Sequence, residues 1–117
     1  MLNKERITEV YQLIQDEICK GLEQADGTGK FEEELWEREG GGGGRTRIMQ
    51  NGAVIEKGGV NFSVVHGKLP EVVKKSFKVD SDDFFATGVS IVIHPNHPFV
   101  PIIHMNIRYF EMNENIR

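Results

Sequence analysis

The chain predicts an α+β fold in which one N-terminal helix packs on a mostly antiparallel sheet. Three observations carry that prediction: a one-sided helical period near the start, an Asn-Gly turn between short strand-like runs, and two long β-rich runs parted by prolines. The length of 117 residues suits one domain, and a single domain over residues 1–117 is expected.

From Lys4 to Ala25, the residues Ile7, Val10, Tyr11, Ile14, Ile18 and Leu22 recur at helical spacing, which gives the segment one apolar side. Asp26-Gly27-Thr28-Gly29 should stop this helix, because glycine readily takes the left-handed conformation that closes one. Phe31 to Glu39 sets five glutamates around Leu35 and Trp36 and fits an exposed strand or a short helix equally well. Five glycines, Gly40 to Gly44, follow and read as a Gly-rich loop.

Arg45 to Gln50 and Ala53 to Lys57 then flank Asn51-Gly52, a strong local signal for a tight hairpin. Gly59 to His66 reads as a further strand, with Val60, Phe62 and Val64 on alternate positions. A short helix is expected from Pro70 to Phe77, because proline suits a first helical position. Asp83 to His94 and Val100 to Met112 form two long strand-like runs around Pro95-Asn96-His97-Pro98, whose prolines interrupt pairing and favour a turn. The last third is therefore expected to be a long hairpin.

Composition excludes several classes of function. A net charge of -4 argues against a general nucleic-acid binder, since gripping phosphates needs a basic surface. One cysteine, Cys19, cannot make an internal disulfide, and it reads as an ordinary semi-buried thiol in an intracellular, cytoplasmic protein. No apolar run approaches the roughly 20 residues of a membrane-spanning helix, so no integral membrane span is expected. The chain has no Cys-x-x-Cys pair and no nucleophile-elbow serine, which leaves covalent catalysis without support.

Side chains alternate across a strand, so the last run divides into Ile103, Met105, Ile107 and Tyr109 on one side and His104, Asn106 and Arg108 on the other. In the run before it, Val89, Ile91 and Ile93 share one side, while Gly88, Ser90, Val92 and His94 share the other. If the runs pair with apolar faces coincident, Ser90, His94, His104, Asn106 and Arg108 gather on the opposite face. Spacing alone weighs a binding site there evenly against a plain solvated face. His66 and His97, isolated in a strand and a turn, stay outside this set.

The glycine run has two readings as well. It could be a flexible linker, or its bare backbone could approach a ligand while Arg45 and Arg47 grip carboxylates. It is not a nucleotide-binding P-loop, because no Gly-Lys-Ser/Thr closes it.

Several ordered blocks now stand together: Trp36-Glu37-Arg38-Glu39 running through the glycines to Arg45-Thr46-Arg47, Glu56-Lys57-Gly58-Gly59-Val60-Asn61-Phe62-Ser63, Gly88-Val89-Ser90-Ile91-Val92-Ile93-His94-Pro95, and His104-Met105-Asn106-Ile107-Arg108-Tyr109-Phe110. In these blocks the chain resembles the oxygen-dependent coproporphyrinogen III oxidases, across nearly its whole length. The resemblance implies the N-terminal part of that fold, a large antiparallel sheet covered by helices, usually in homodimers. It implies oxidative decarboxylation of coproporphyrinogen III to protoporphyrinogen IX in haem biosynthesis, with molecular oxygen as co-substrate.

Residue by residue, the resemblance assigns substrate binding to Ser90 and to the segment Asn106, Ile107 and Arg108, and proton donation to His104. His94 and His104 also match two of the four histidines assigned to a divalent metal in some members, whereas others work without a metal or organic cofactor. Family members continue well beyond the Arg108-Tyr109-Phe110 strand, so the chain reads as a truncated portion with weak or no activity alone. The alternatives are a non-enzymatic porphyrin- or anion-binding module and an inert folding fragment. Without later helices, the Ile91, Ile93, Ile103, Met105 and Ile107 face is expected to lack cover and to promote self-association.

Overall fold

The structure, a computed structural model, describes residues 3–68, 71, 72, 75 and 83–112. Helix α1 spans Lys4–Asp26 and is followed by strands β1 (Glu32–Glu37), β2 (Gly42–Gln50), β3 (Ile55–Lys68), β4 (Asp83–Pro95) and β5 (Ile103–Met112). The strands pair antiparallel in the order β1-β2-β3-β4-β5. This is the α+β arrangement that the periodicities predict.

Helix α1 begins where the Asn3 side chain accepts the Arg6 amide at 2.9 Å, and it ends at Gly27, whose φ of 91° only glycine adopts readily. Its inner face lies on β3 and β4. There Tyr11, Ile14, Ile18 and Leu22 pack against Met49, Val60, Phe62, Val89, Ile91 and Ile93. Each of the large core side chains contributes roughly 1.5 to 3 kcal/mol by leaving water, and this burial fixes which sheet face the helix covers. Cys19 is fully buried in the same core, deeper than its sequence context suggested. Burial pushes its thiol pKa up, with Arg47 opposing the shift.

Two polar devices hold the helix to the sheet. The Gln15 side chain is completely buried, and its amide donates to the main-chain carbonyls of Arg45 at 2.7 Å and Val60 at 2.9 Å. At the helix end, the buried Asp26 carboxylate accepts main-chain N–H groups from Gly29, Ala53, Val54 and Ile55 at 2.7 to 2.8 Å. The bond from Ile55 is the strongest of the influences that hold this carboxyl far below the usual carboxylate range, against the opposing effect of burial.

That anchoring changes the hairpin at Asn51-Gly52. Residues 53–55 turn their N–H groups toward Asp26, so the connection is longer than a two-residue turn and β3 begins only at Ile55. Only Asn51 of the pair has a positive φ, 58°, and a Cβ on Gly52 would come within 2.5 Å of the Asp26 carboxylate. The two runs read separately as Ala53 to Lys57 and Gly59 to His66 are one 14-residue strand, with a register shift between Ile55 and Lys57.

Phe31 to Glu39, open between helix and strand, contains β1. The expected loop at 40–44 is shorter: Gly40 and Gly41 make the turn, and Gly42 to Gly44 already belong to β2. The expected helix over Pro70 to Phe77 lies outside the described residues except at positions 71, 72 and 75. The long terminal hairpin is present, and its turn is tied to the first one by Asn96, which donates to the Gly52 and Ala53 carbonyls at 3.0 and 3.1 Å. Among the described residues, no helix is long and apolar enough to cross a membrane.

Candidate functional site

The sheet has a helix-covered face and an open one. Register determines what stands together on the open face. Ser90 of β4 lies directly opposite Asn61 of β3 and Asn106 of β5, so three polar side chains form one row across three strands. One step along the strands Val92 faces His104, and one step the other way Gly88 faces Arg108. His94 sits opposite Lys57 and diagonal to His104, a relation that puts side-chain origins about 7–8 Å apart.

The structure thus brings Ser90, His94, His104, Asn106 and Arg108 to one face, as alternation predicts. Ile107 falls on the other side, packed against the core under α1. Any contact it makes with a ligand on the open face must run through its main chain.

The floor between these groups is low. On either side of the Asn61–Ser90 pair, Ser63 stands opposite Gly88 and Gly59 stands opposite Val92, and a Cβ built on Gly59 would meet no atom within 4 Å. At Gly88, by contrast, a Cβ would lie 2.6 Å from the Ile107 carbonyl oxygen, so no side chain fits opposite Arg108 without moving main chain. A surface of mostly small residues edged by a guanidinium, two amides and imidazoles can accept a broad molecule carrying carboxylates.

Arg45 and Arg47 are not part of this face. Both point to the helix side, where Arg45 donates to Gln15 at 2.6 Å and to Asp16 at 2.9 Å, and Arg47 bridges Asp16 and Glu33 at 2.8 Å each. These pairs join α1, β1 and β2, and the carboxylate-gripping role suggested by the glycine run is corrected accordingly. Hydrogen bonds to Glu33, Cys19 and Asp16 hold the Arg47 pKa above its ordinary value against the cost of burial.

Another part of the open face carries polar side chains that no sequence motif marks. Trp36, Thr46 and Asn61 form a side-chain chain, with the Trp36 indole donating to the Thr46 hydroxyl at 3.0 Å and that hydroxyl donating to Asn61 Oδ1 at 2.6 Å. The available signal was the position of Asn61 between the inward-facing Val60 and Phe62. A cavity of about 680 Å³ beside Lys4, Thr8, His66 and Phe85 lies at the start of α1, away from the Ser90 row. His97 serves its own turn, accepting the Phe99 amide at 3.2 Å.

A family model for coproporphyrinogen III oxidase matches residues 6–117, nearly the whole chain. The chain belongs to the coproporphyrinogen III oxidase family. A relative from Prochlorococcus marinus strain SARG, named an oxygen-dependent coproporphyrinogen-III oxidase, is 52% identical over 100 residues, covering 84% of this chain and 29% of the relative. One of the same name from Prochlorococcus marinus subsp. pastoris is 49% identical over 111 residues, covering 93% of this chain and 32% of the relative. The chain therefore spans less than a third of the length of these curated relatives.

Among the described residues, no group of three or more His, Cys, Asp and Glu comes together to hold an ion. His94 and His104 supply two nitrogens where a zinc-type site uses three or four protein ligands. The described residues do not by themselves fit a resident metal.

Proposed function

We propose that this chain is the substrate-gripping part of an oxygen-dependent coproporphyrinogen III oxidase in haem biosynthesis. The observation that carries the reading is the register that sets Ser90 opposite Asn106, with Arg108 and His104 one step to either side on the same open face. The names of the relatives support the substrate and the use of molecular oxygen.

In the proposed reaction each of two propionate arms loses its carboxyl group as carbon dioxide and one hydrogen from the carbon next to the ring. The carbon skeleton gives up two electrons, a vinyl group remains, and one oxygen molecule per arm accepts two electrons and two protons to become hydrogen peroxide. Arg108 clamps a propionate with paired N–H donors, a charge-assisted contact that contributes about 1.5 to 3 kcal/mol. Ser90 and Asn106 supply further hydrogen bonds that orient the arms. His104, whose imidazole can both give and take a proton, passes one at the edge of the floor. The low floor of Gly59, Ser63, Gly88 and Ser90 accommodates the macrocycle.

Homo-oligomerisation belongs to the same proposal. Helix α1 covers Ile91 and Ile93, contrary to the expectation that they stay bare, but Ile103 and Met105 of the edge strand β5 remain 51% and 43% exposed. Exposed apolar side chains beside an unpaired strand edge favour a second copy. A cytoplasmic setting fits the single buried thiol of Cys19.

The test is aerobic turnover of coproporphyrinogen, read by porphyrin fluorescence after chemical oxidation of the products, in a family-length enzyme carrying this segment and in the 117-residue chain. Arg108→Ala should raise KM by roughly 10-fold to 150-fold, the range that follows from losing the clamp, and His104→Ala should lower kcat. The short chain should turn over weakly or not at all. Unchanged kinetics in both variants would overturn the assignment of this face.

A further inference from the structure

The Trp36, Thr46 and Asn61 chain runs in one direction, from the indole to the amide. An indole nitrogen can only donate, so Trp36 must give its hydrogen to Thr46 Oγ1, 3.0 Å away. The Thr46 hydroxyl has one hydrogen, which it spends on Asn61 at 2.6 Å. The receiving atom is Asn61 Oδ1, which leaves the amide nitrogen with both of its N–H groups. Asn61 makes no donor contact among the described residues, and no buried side-chain nitrogen there lacks a partner, so this nitrogen is open to solvent.

Position completes the argument. Asn61 stands directly opposite Ser90, which stands directly opposite Asn106. Directly opposed side chains on an antiparallel pair originate about 4.5 to 5.5 Å apart, within reach of a single bound carboxylate. A chain of hydrogen bonds running one way also polarises its last member, which makes the terminal N–H groups better donors. Thr46 links Trp36 to Asn61 by both accepting and donating, as the relay requires.

We propose that Asn61 is a further substrate-binding residue, donating its amide hydrogens to a carboxylate arm held beside Ser90, and that Thr46 and Trp36 are positioning residues that set its orientation. The assignment rests on the reading of the open face as the substrate site. It extends the grip from β4 and β5 to the central strand β3, so that a carboxylate is held from both sides of β4. It also gives the Trp36 ring, packed over Gly44, a role beyond covering that glycine.

The test uses a family-length enzyme carrying this segment, with KM and kcat measured separately for coproporphyrinogen. Asn61→Asp retains an oxygen to accept from Thr46 but replaces the donor amide with a charged oxygen. It should raise KM about tenfold or more, with a smaller change in kcat. Thr46→Val breaks both bonds of the relay and should raise KM in the same direction, while Thr46→Ser, which keeps the hydroxyl, should restore it. A structural role alone would not predict that rescue together with a KM effect at unchanged thermal midpoint. If Arg108→Ala raises KM while Asn61→Asp and Thr46→Val leave it within about twofold, the Asn61 assignment is overturned and the site stands. If none of the three alters KM, the reading of the open face fails and this inference fails with it.

Discussion

Gln15 and Arg45 clasp each other twice. The Gln15 amide nitrogen donates to the Arg45 carbonyl at 2.7 Å, and its amide oxygen accepts from Arg45 Nε at 2.6 Å. The same nitrogen also reaches the Val60 carbonyl, so one wholly buried side chain ties α1 to two neighbouring strands. The contact explains why Arg45 serves the interior and leaves the open face to Arg108.

Gln15→Leu keeps the volume but leaves buried acceptors without donors. It should destabilise the chain by about 1 to 3 kcal/mol, the ordinary penalty for such orphaned groups. Urea unfolding followed through the fluorescence of Trp36, the only tryptophan, would read this directly. An unchanged midpoint would show that the clasp contributes little beyond packing.

Asp26 should make stability depend on acid pH. Its carboxyl titrates far below the ordinary value of about 3.9 in the folded chain, so the ionised form is favoured by folding. The stabilisation is present in full above the unfolded value and is lost progressively as pH falls below about 4 toward the folded value. Asp26→Asn should therefore be less stable than the parent at neutral pH, and the gap should narrow on acidification. A gap independent of pH between 7 and about 3 would contradict the assignment.

Gly44→Ala should strain the junction of β1, β2 and β3. An added Cβ would run into the Trp36 ring and lie 2.5 Å from the Phe62 carbonyl oxygen. Overpacking of this kind costs about 1 to 3 kcal/mol. The denaturation midpoint should drop and the Trp36 emission should shift, whereas an unaltered spectrum and midpoint would mean that the ring moves aside freely.

Ile103→Lys with Met105→Lys should weaken association between copies. Both side chains lie on the helix-facing side of β5 beyond the cover of α1, with 51% and 43% of their surface exposed. Light scattering at micromolar concentration should find assemblies for the parent chain and a mass near that of one chain for the double variant. A parent that is already a single chain would remove the edge as an association surface.

Much of this was legible in the sequence. The apolar stripe of α1, the glycine that ends it and the alternation in β4 and β5 identify elements whose pattern is local. The same alternation separated Ser90, His94, His104, Asn106 and Arg108 from the core residues, because neighbouring strands must bury their apolar sides together. Ile107, assigned by resemblance alongside its polar neighbours, shows the limit of naming a segment: consecutive residues of a strand face opposite ways.

The sequence by itself determined the α+β class, the helix, the long terminal hairpin and which residues share a face within each strand, since these follow from periods of 3.6 and 2 along the chain. Tertiary structure alone decided that Asp26 lengthens the first hairpin, that Arg45 and Arg47 face the helix, and that Asn61 stands across from Ser90. Those outcomes depend on which groups from distant segments meet. Strand register and helix placement set such meetings through packing and hydrogen bonding between segments, which no local period encodes.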